Sequence, residues 1–233
     1  MACRAAWRNI EPGDGSNPLA RTFDDRVDAG RALAKALAAR KDLGDAIVLA
    51  LPRGGVPVGY EIAQALGLPL DVLVVRKLGL PSQPELAMGA IASGGAVVLN
   101  EDVVRYLGGR RDALEQVKRR EQAELERRER EYRGERAPLE MVGRDAILVD
   151  DGLATGATME AAVRALRAAK AKRVIVAVPV ASGEARDRIA AVADEVVCLE
   201  TPIFFSAVGQ WYRDFGQTSD EEVRELLVQS QRH

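Results

Sequence analysis

The chain has 233 residues, with 33 Lys and Arg against 35 Asp and Glu, a net charge of -2 and one histidine. Near-balanced charge argues against a general nucleic-acid binder, and no apolar run approaches the length of a membrane span. The histidine is His233, the last residue, which excludes a Ser-His-Asp triad or a His-based zinc site within one chain and leaves carboxylates, cations, backbone amides and a metal to carry any chemistry.

Residues 1–20 hold Pro12, Gly13, Gly15, Ser16, Asn17 and Pro18 and read as a loose tail or a pinned arm. The first eight residues lack the apolar core of a signal peptide. Cys3 and Cys198 are too few and too distant for a disulfide framework, so both read as reduced thiols of a cytoplasmic protein. Asp24 or Asp25 starts a helix with Val27, Ala29, Leu33, Ala34 and Leu37 on its apolar face. A short apolar strand over 46–51 follows, then Pro52-Arg53-Gly54-Gly55-Val56-Pro57, then a helix over 57–65. Two glycines beside a cation let backbone approach an anion, with Arg53 as a fork-shaped partner; a plain turn with a solvated Arg is the alternative. A third strand over 69–75 ends at Arg76-Lys77, cations at the edge where parallel sheets meet ligands. Arg76 reads equally well as an ion-pair member. Residues 79–85 have the composition of a mobile loop. Gly94-Gly95 turns a hairpin between 91–92 and 96–99, and a short helix is expected over 103–107.

Residues 110–133 are the most charged stretch, with Glu115/Arg119, Glu124/Arg128 and Glu126/Arg130 spaced four apart on a helix. Leu114, Val117, Leu125 and Tyr132 leave a thin apolar stripe, so a solvated helix packed by one edge is expected. The strand over 146–149 is short and β-branched, as a fully buried parallel strand should be. It runs into Asp150-Asp151-Gly152-Leu153-Ala154-Thr155-Gly156-Ala157-Thr158. Thr158 is expected to cap the following helix, and Gly152 and Gly156 to let backbone amides approach a ligand. Free N–H groups at that turn, with the helix dipole behind them, make a phosphate cradle. No Lys follows Gly156, so it is not an ATP-type loop. A strand over 173–178 ended by Pro179, a helix from Ser182 or Gly183, and a strand over 195–199 complete an α/β pattern of right-handed crossovers. Phe204, Phe205 and Trp211 then gather in 201–215, either as a stacking face for a flat ring or as a hydrophobic plug. Asp220 opens a last helix.

The segment 150–158 resembles the phosphoribosyl pyrophosphate (PRPP) motif of the type I phosphoribosyltransferases. Arg53-Gly54 resembles the pyrophosphate loop of the adenine-type members, in which a cis non-proline peptide is common. Arg76-Lys77 resembles the adenine- and orotate-type pattern, in which the Lys reaches PRPP. The chain is most similar to uncharacterised bacterial members with a Phe-Asp-Asp-Arg start. The resemblance implies a mostly parallel twisted α/β sheet flanked by helices. It adds a flexible hood at about 76–100. Within a domain spanning 21–233, a charged helical insertion at about 101–140 and an acceptor-side segment at about 201–233 are also expected, neither closely matching the adenine-, hypoxanthine- or orotate-type patterns.

The activity so implied is magnesium-dependent transfer of 5-phosphoribosyl from PRPP to a nitrogen nucleophile, a nucleobase, with release of pyrophosphate. Asp150 and Asp151 would hold the ribose hydroxyls, and magnesium indirectly through PRPP or water. Gly54, Gly55, Arg76, Gly152, Ala154, Thr155, Gly156, Ala157 and Thr158 would bind PRPP, with Arg53 and Lys77 at the leaving group. Phe204, Phe205 and Trp211 would line the acceptor pocket. Ala154 stands where hypoxanthine-type members carry a proton-handling Asp, so Glu85 in the hood is expected to take that task. A cytoplasmic homodimer is expected. The alternative is a sensor that keeps the PRPP site without transfer.

Overall fold

The computed structural model describes residues 21–40, 42–80, 83–100, 111–134, 136 and 140–231. In chain order run α1 (Arg26–Ala38), β1 (Ile47–Ala50), α2 (Gly55–Leu66), β2 (Leu70–Val72), β3 (Val75–Leu80), β4 (Gln83–Ala92), β5 (Ala96–Leu99) and α3 (Arg111–Arg133). They are followed by β6 (Asp145–Val149), α4 (Ala157–Ala168), β7 (Arg173–Val180), α5 (Gly183–Ala190), β8 (Glu195–Glu200) and α6 (Asp220–Gln229). The tail 1–20 and the helix expected over 103–107 lie outside the described residues.

β2-β1-β6-β7-β8 form one parallel sheet. Its central strands β1, β6 and β7 carry unbroken apolar runs because both faces are covered. Val48, Ala50, Ile147, Val149, Ile175 and Ala177 join a core with α1, α2, α3 and α6. Ile47, Leu49, Ala146, Leu148, Val174 and Val176 join another with α4 and α5. From β1 the chain steps outward to β2, whereas from β6 it steps the other way to β7 and β8. The order therefore reverses between β1 and β6, and the crevice beyond their carboxyl ends is where open α/β sheets bind ligands.

The strand expected over 69–75 is two strands. Leu73 N still donates to Ala50 O at 3.0 Å, but Val74 N donates to Ser93 Oγ at 2.9 Å. The chain passes there from the parallel sheet to the antiparallel sheet β3-β4-β5, inside one apolar run that hides the change. Of the loop expected over 79–85, the described residues 79–80 and 83–85 are strand, with the β3–β4 register slipping on both sides of Gly79. Gly94 and Gly95 turn the β4–β5 hairpin at φ 79 and 78. β7 runs through Pro179, which lies beyond Ala177, the last residue paired with β6. In α3, Leu114, Val117, Leu125 and Tyr132 are buried in the main core, and Arg133 forks onto buried Asp71 of β2. The helix thus packs by the expected apolar edge. Of its expected ion pairs, Glu124–Arg128 forms at 2.9 Å, while Glu126 accepts from Gln122.

Candidate active site

β1 and β6 are hydrogen-bonded neighbours, with Ala50 opposite Val149, so the loops that follow them leave the sheet side by side. After β1, the Pro52–Arg53 peptide is cis. Gly54 caps α2 with no side-chain hydrogen bond, and α2 begins at Gly55, two residues before the expected start. A Cβ on Gly55 would meet Val149 O at 2.7 Å, and one on Gly54 would meet Asp151 Oδ2 at 2.0 Å. Both glycines are there because backbone of one loop touches the other. Arg53 Nη1 lies 3.8 Å from Asp220 Oδ2, a loose pair on two partly exposed groups. Asp220 Oδ1 also accepts from Tyr132 Oη at 2.5 Å.

After β6, Asp150 Oδ1 accepts from Asp151 N at 2.9 Å. Asp151 Oδ2 accepts from Arg26 Nε at 2.9 Å, and Asp151 O accepts from Tyr212 Oη at 2.6 Å. Burial pushes the Asp150 carboxyl well above the ordinary carboxylate range, and the adjacent Asp151 charge adds to it. Burial also raises Asp151, with the Arg26 guanidinium opposing the shift. Burial and the Asp151 charge push the Tyr212 hydroxyl up, so it remains a donor.

The loop then turns at Gly156, φ 71, which forms the N-cap of α4 with no side-chain cap. Thr158 is therefore inside the first turn and not the cap; its place is exposed, as are Ala154 and Thr155. Ala157 N reaches Thr155 Oγ1 at 3.4 Å. The helix start carries backbone donors and positive partial charge toward the crevice, as an anion site requires. Ser182 Oγ donates to Ala154 O at 2.7 Å and holds the loop from behind. Gly152 has a packing reason: a Cβ there would meet Val208 Cγ1 at 2.6 Å.

Arg76 and Lys77 are successive strand residues and point to opposite faces of β3. Arg76 forks onto Glu121 of α3 at 2.7 and 2.9 Å, so the side chain expected at the phosphates has a protein partner instead. Charge complementarity across the β3–α3 contact explains this. Lys77 is exposed. Glu85 has its backbone in β4, and its side chain lies outside the described residues. Phe204 is 89% exposed, in a bend between β8 and the short helical turn at 208–211. Phe205 and Trp211 stack with centroids 6.5 Å apart and planes 19° apart. Trp211 Nε1 is buried without a hydrogen-bond partner among the described residues. A polar cavity of 680 Å³ lined by Asp45, Arg144, Asp145 and Lys172 lies at the opposite, amino-terminal edge of the sheet.

Arg26 and Tyr212 do not stand out in the sequence. Arg26 ends the Phe-Asp-Asp-Arg stretch, and Tyr212 sits in the aromatic segment, so both signals were in view without a partner to interpret them.

The family described as phosphoribosyl transferase domain matches residues 86–214. The chain belongs to that phosphoribosyl transferase domain family. The match takes in the diacid and the Gly156 turn, while the Arg53 loop precedes it. Two Mycobacterium tuberculosis proteins, of strains CDC 1551 / Oshkosh and H37Rv and provisionally named phosphoribosyl transferases, are each 52% identical over 212 residues. Those alignments cover 91% of this chain and 48% of each relative, so the chain spans about half the length of these curated relatives. The crystal structure of TT1426 from Thermus thermophilus is 47% identical, with a TM-score of 0.81, covering 89% of this chain and 98% of that one. This phosphoribosyl transferase domain therefore has a solved relative of nearly the same extent.

Proposed function

We propose that the chain transfers 5-phosphoribosyl from PRPP to a nitrogen nucleophile, a nucleobase, with release of pyrophosphate. One observation supports the reading: Gly54 lies against Asp151, so the turn that would accept an anion and the diacid that would accept ribose are side by side. A sugar with a phosphate at each end would lie between the α2 and α4 helix starts. Ribose hydroxyls would donate to Asp150 and Asp151, the α4 turn would hold the 5-phosphate, and the Arg53 loop with Lys77 would hold pyrophosphate. Negative charge grows on the leaving pyrophosphate, and fixed cations and amides stabilise it most in the transition state. Glu85 would manage the acceptor's proton, and Phe205 with Trp211 would provide its stacking face.

Among the described residues, no three or more His, Cys, Asp or Glu side chains group to hold a metal by themselves. Two adjacent carboxylates nevertheless suit magnesium, which keeps waters and binds through one or two acids together with substrate phosphates. Asp150 and Asp151 would hold it in that way, and the ion would supply charge neutralisation at pyrophosphate. No helix among the described residues is long and apolar enough to cross a membrane. A cytoplasmic homodimer accompanies the reading, testable by fractionation and sedimentation.

Calorimetric titration with PRPP and magnesium tests the site. Wild type should bind, and Asp150→Asn/Asp151→Asn should not. Pyrophosphate release across a panel of nucleobases then tests transfer. Binding without release for every base would replace the enzyme with the sensor.

A further inference from the structure

We propose that Arg26 is a positioning residue that couples the diacid to the aromatic segment 205–216, so that filling of the sugar site is transmitted to Trp211. The inference rests on the PRPP reading of the diacid. Its basis is the way one guanidinium is shared. Nε donates to Asp151 Oδ2 at 2.9 Å, Nη1 donates to Gly216 O at 2.6 Å, and the guanidinium carbon lies 4.0 Å from the Phe215 ring centroid. The planar fork lets one cation serve a carboxylate, a carbonyl and a ring face together, which a lysine cannot do.

The segment beyond is one unit. Phe215 packs against Gly209 so closely that a Cβ there would stand 2.9 Å from its ring, and Tyr212 lies 5.0 Å from Phe215 between ring centroids. Phe23 N donates to Trp211 O, and Arg213 N donates to Phe23 O, so the residues just before Arg26 pair with the same segment. The segment thus hangs from Asp151 by two threads: the side chain through Arg26 and the backbone oxygen through Tyr212. Sugar hydroxyls arriving at the Asp151 carboxylate share its lone pairs with Arg26. Any shift of that fork is passed to Gly216 and Phe215, and so to the ring stack of Phe205 and Trp211. Arg26 also fixes the Asp151 carboxylate orientation before the sugar arrives, which lowers the ordering cost of binding.

The test uses Trp7→Phe protein, in which Trp211 is the remaining tryptophan. PRPP with magnesium is titrated while affinity and Trp211 emission are followed. The parent should bind with a change in emission. Arg26→Gln should weaken PRPP binding by roughly tenfold or more, as loss of a hydrogen bond to a charged group does, and should lose the emission change. Arg26→Lys should recover part of the affinity through its charge and none of the emission change. In an Asp151→Asn background, Arg26→Gln should have no further effect on affinity. Wild-type affinity and an intact emission change in Arg26→Gln would overturn the coupling while leaving the sugar site standing. Should Arg26→Gln fail to fold, a wild-type response in Arg26→Lys overturns it equally. A parent that binds no PRPP removes the site reading itself, and the coupling with it.

Discussion

A Cβ on Gly54 would lie 2.0 Å from Oδ2 of Asp151, the same oxygen that Arg26 holds. The contact joins the loop after β1 to the diacid after β6, and only a hydrogen side chain at position 54 permits it. Gly54→Ala must push either loop aside. The expected cost is about 1–3 kcal/mol of stability from overpacking, with a PRPP affinity loss of about tenfold or more. Urea unfolding and calorimetry read the two effects separately. Wild-type affinity in a folded Gly54→Ala protein would take this contact out of the binding site.

The role proposed for Asp150 sets stability against function. Its folded carboxyl titrates well above its ordinary value of 3.8. A raised acid binds its proton more tightly when folded, so its contribution is present below pH 3.8 and is lost as pH rises toward the folded value. Asp150→Asn should therefore be as stable as wild type below pH 3.8 and increasingly more stable toward neutrality, while losing PRPP. Melting curves across pH give the sign. A variant less stable than wild type at neutral pH would contradict the argument.

Arg76 and Glu121 make a partly buried pair, with side chains 30% and 10% exposed. Among the described residues, Arg76→Gln leaves Glu121 with its exposed neighbour Arg120 as ion-pair partner. A loss of about 1–3 kcal/mol is expected, with PRPP affinity within about twofold of wild type. Lys77→Ala should show the reverse: little change in stability and weaker PRPP binding. Exchange of these two outcomes would return Arg76 to the phosphates.

Tyr212→Phe keeps the ring against Phe23 and Phe215 but removes the donor to Asp151 O. The loss should be about 0.5–1.5 kcal/mol, the ordinary net value of one hydrogen bond. Chemical denaturation measures it. No change would mean that Asp151 O finds water in place of the hydroxyl.

The parallel strands were legible because burial on both faces writes them as short β-branched runs, as in 146–149 and 173–178. The diacid and its glycine turn were legible because that chemistry is local in sequence. What stayed hidden depends on distant partners. Arg26 meets Asp151 across 125 positions, and Arg76 meets Glu121 across 45. No periodicity reports such pairs. The passage from β2 to β3 at 73–74 was hidden for another reason: both sheets bury that run, so hydropathy does not change where hydrogen-bond partners do. The hydroxyl of Thr158 points to a cap there, but a left-handed glycine at 156 ends the loop earlier than a hydroxyl cap would.

The reversal of strand order between β1 and β6 has a bearing on folding. The crevice loops come from strands that touch in space but are separated in the chain by α2, the β3–β5 sheet and α3. A bound molecule spanning them fastens shut the long excursion between β1 and β6. At a hundredfold excess over Kd it would add about 2.7 kcal/mol to global stability. Amide protons of β1 and β6 should then exchange more slowly with solvent, and protease should find fewer openings, wherever that detour would otherwise come loose.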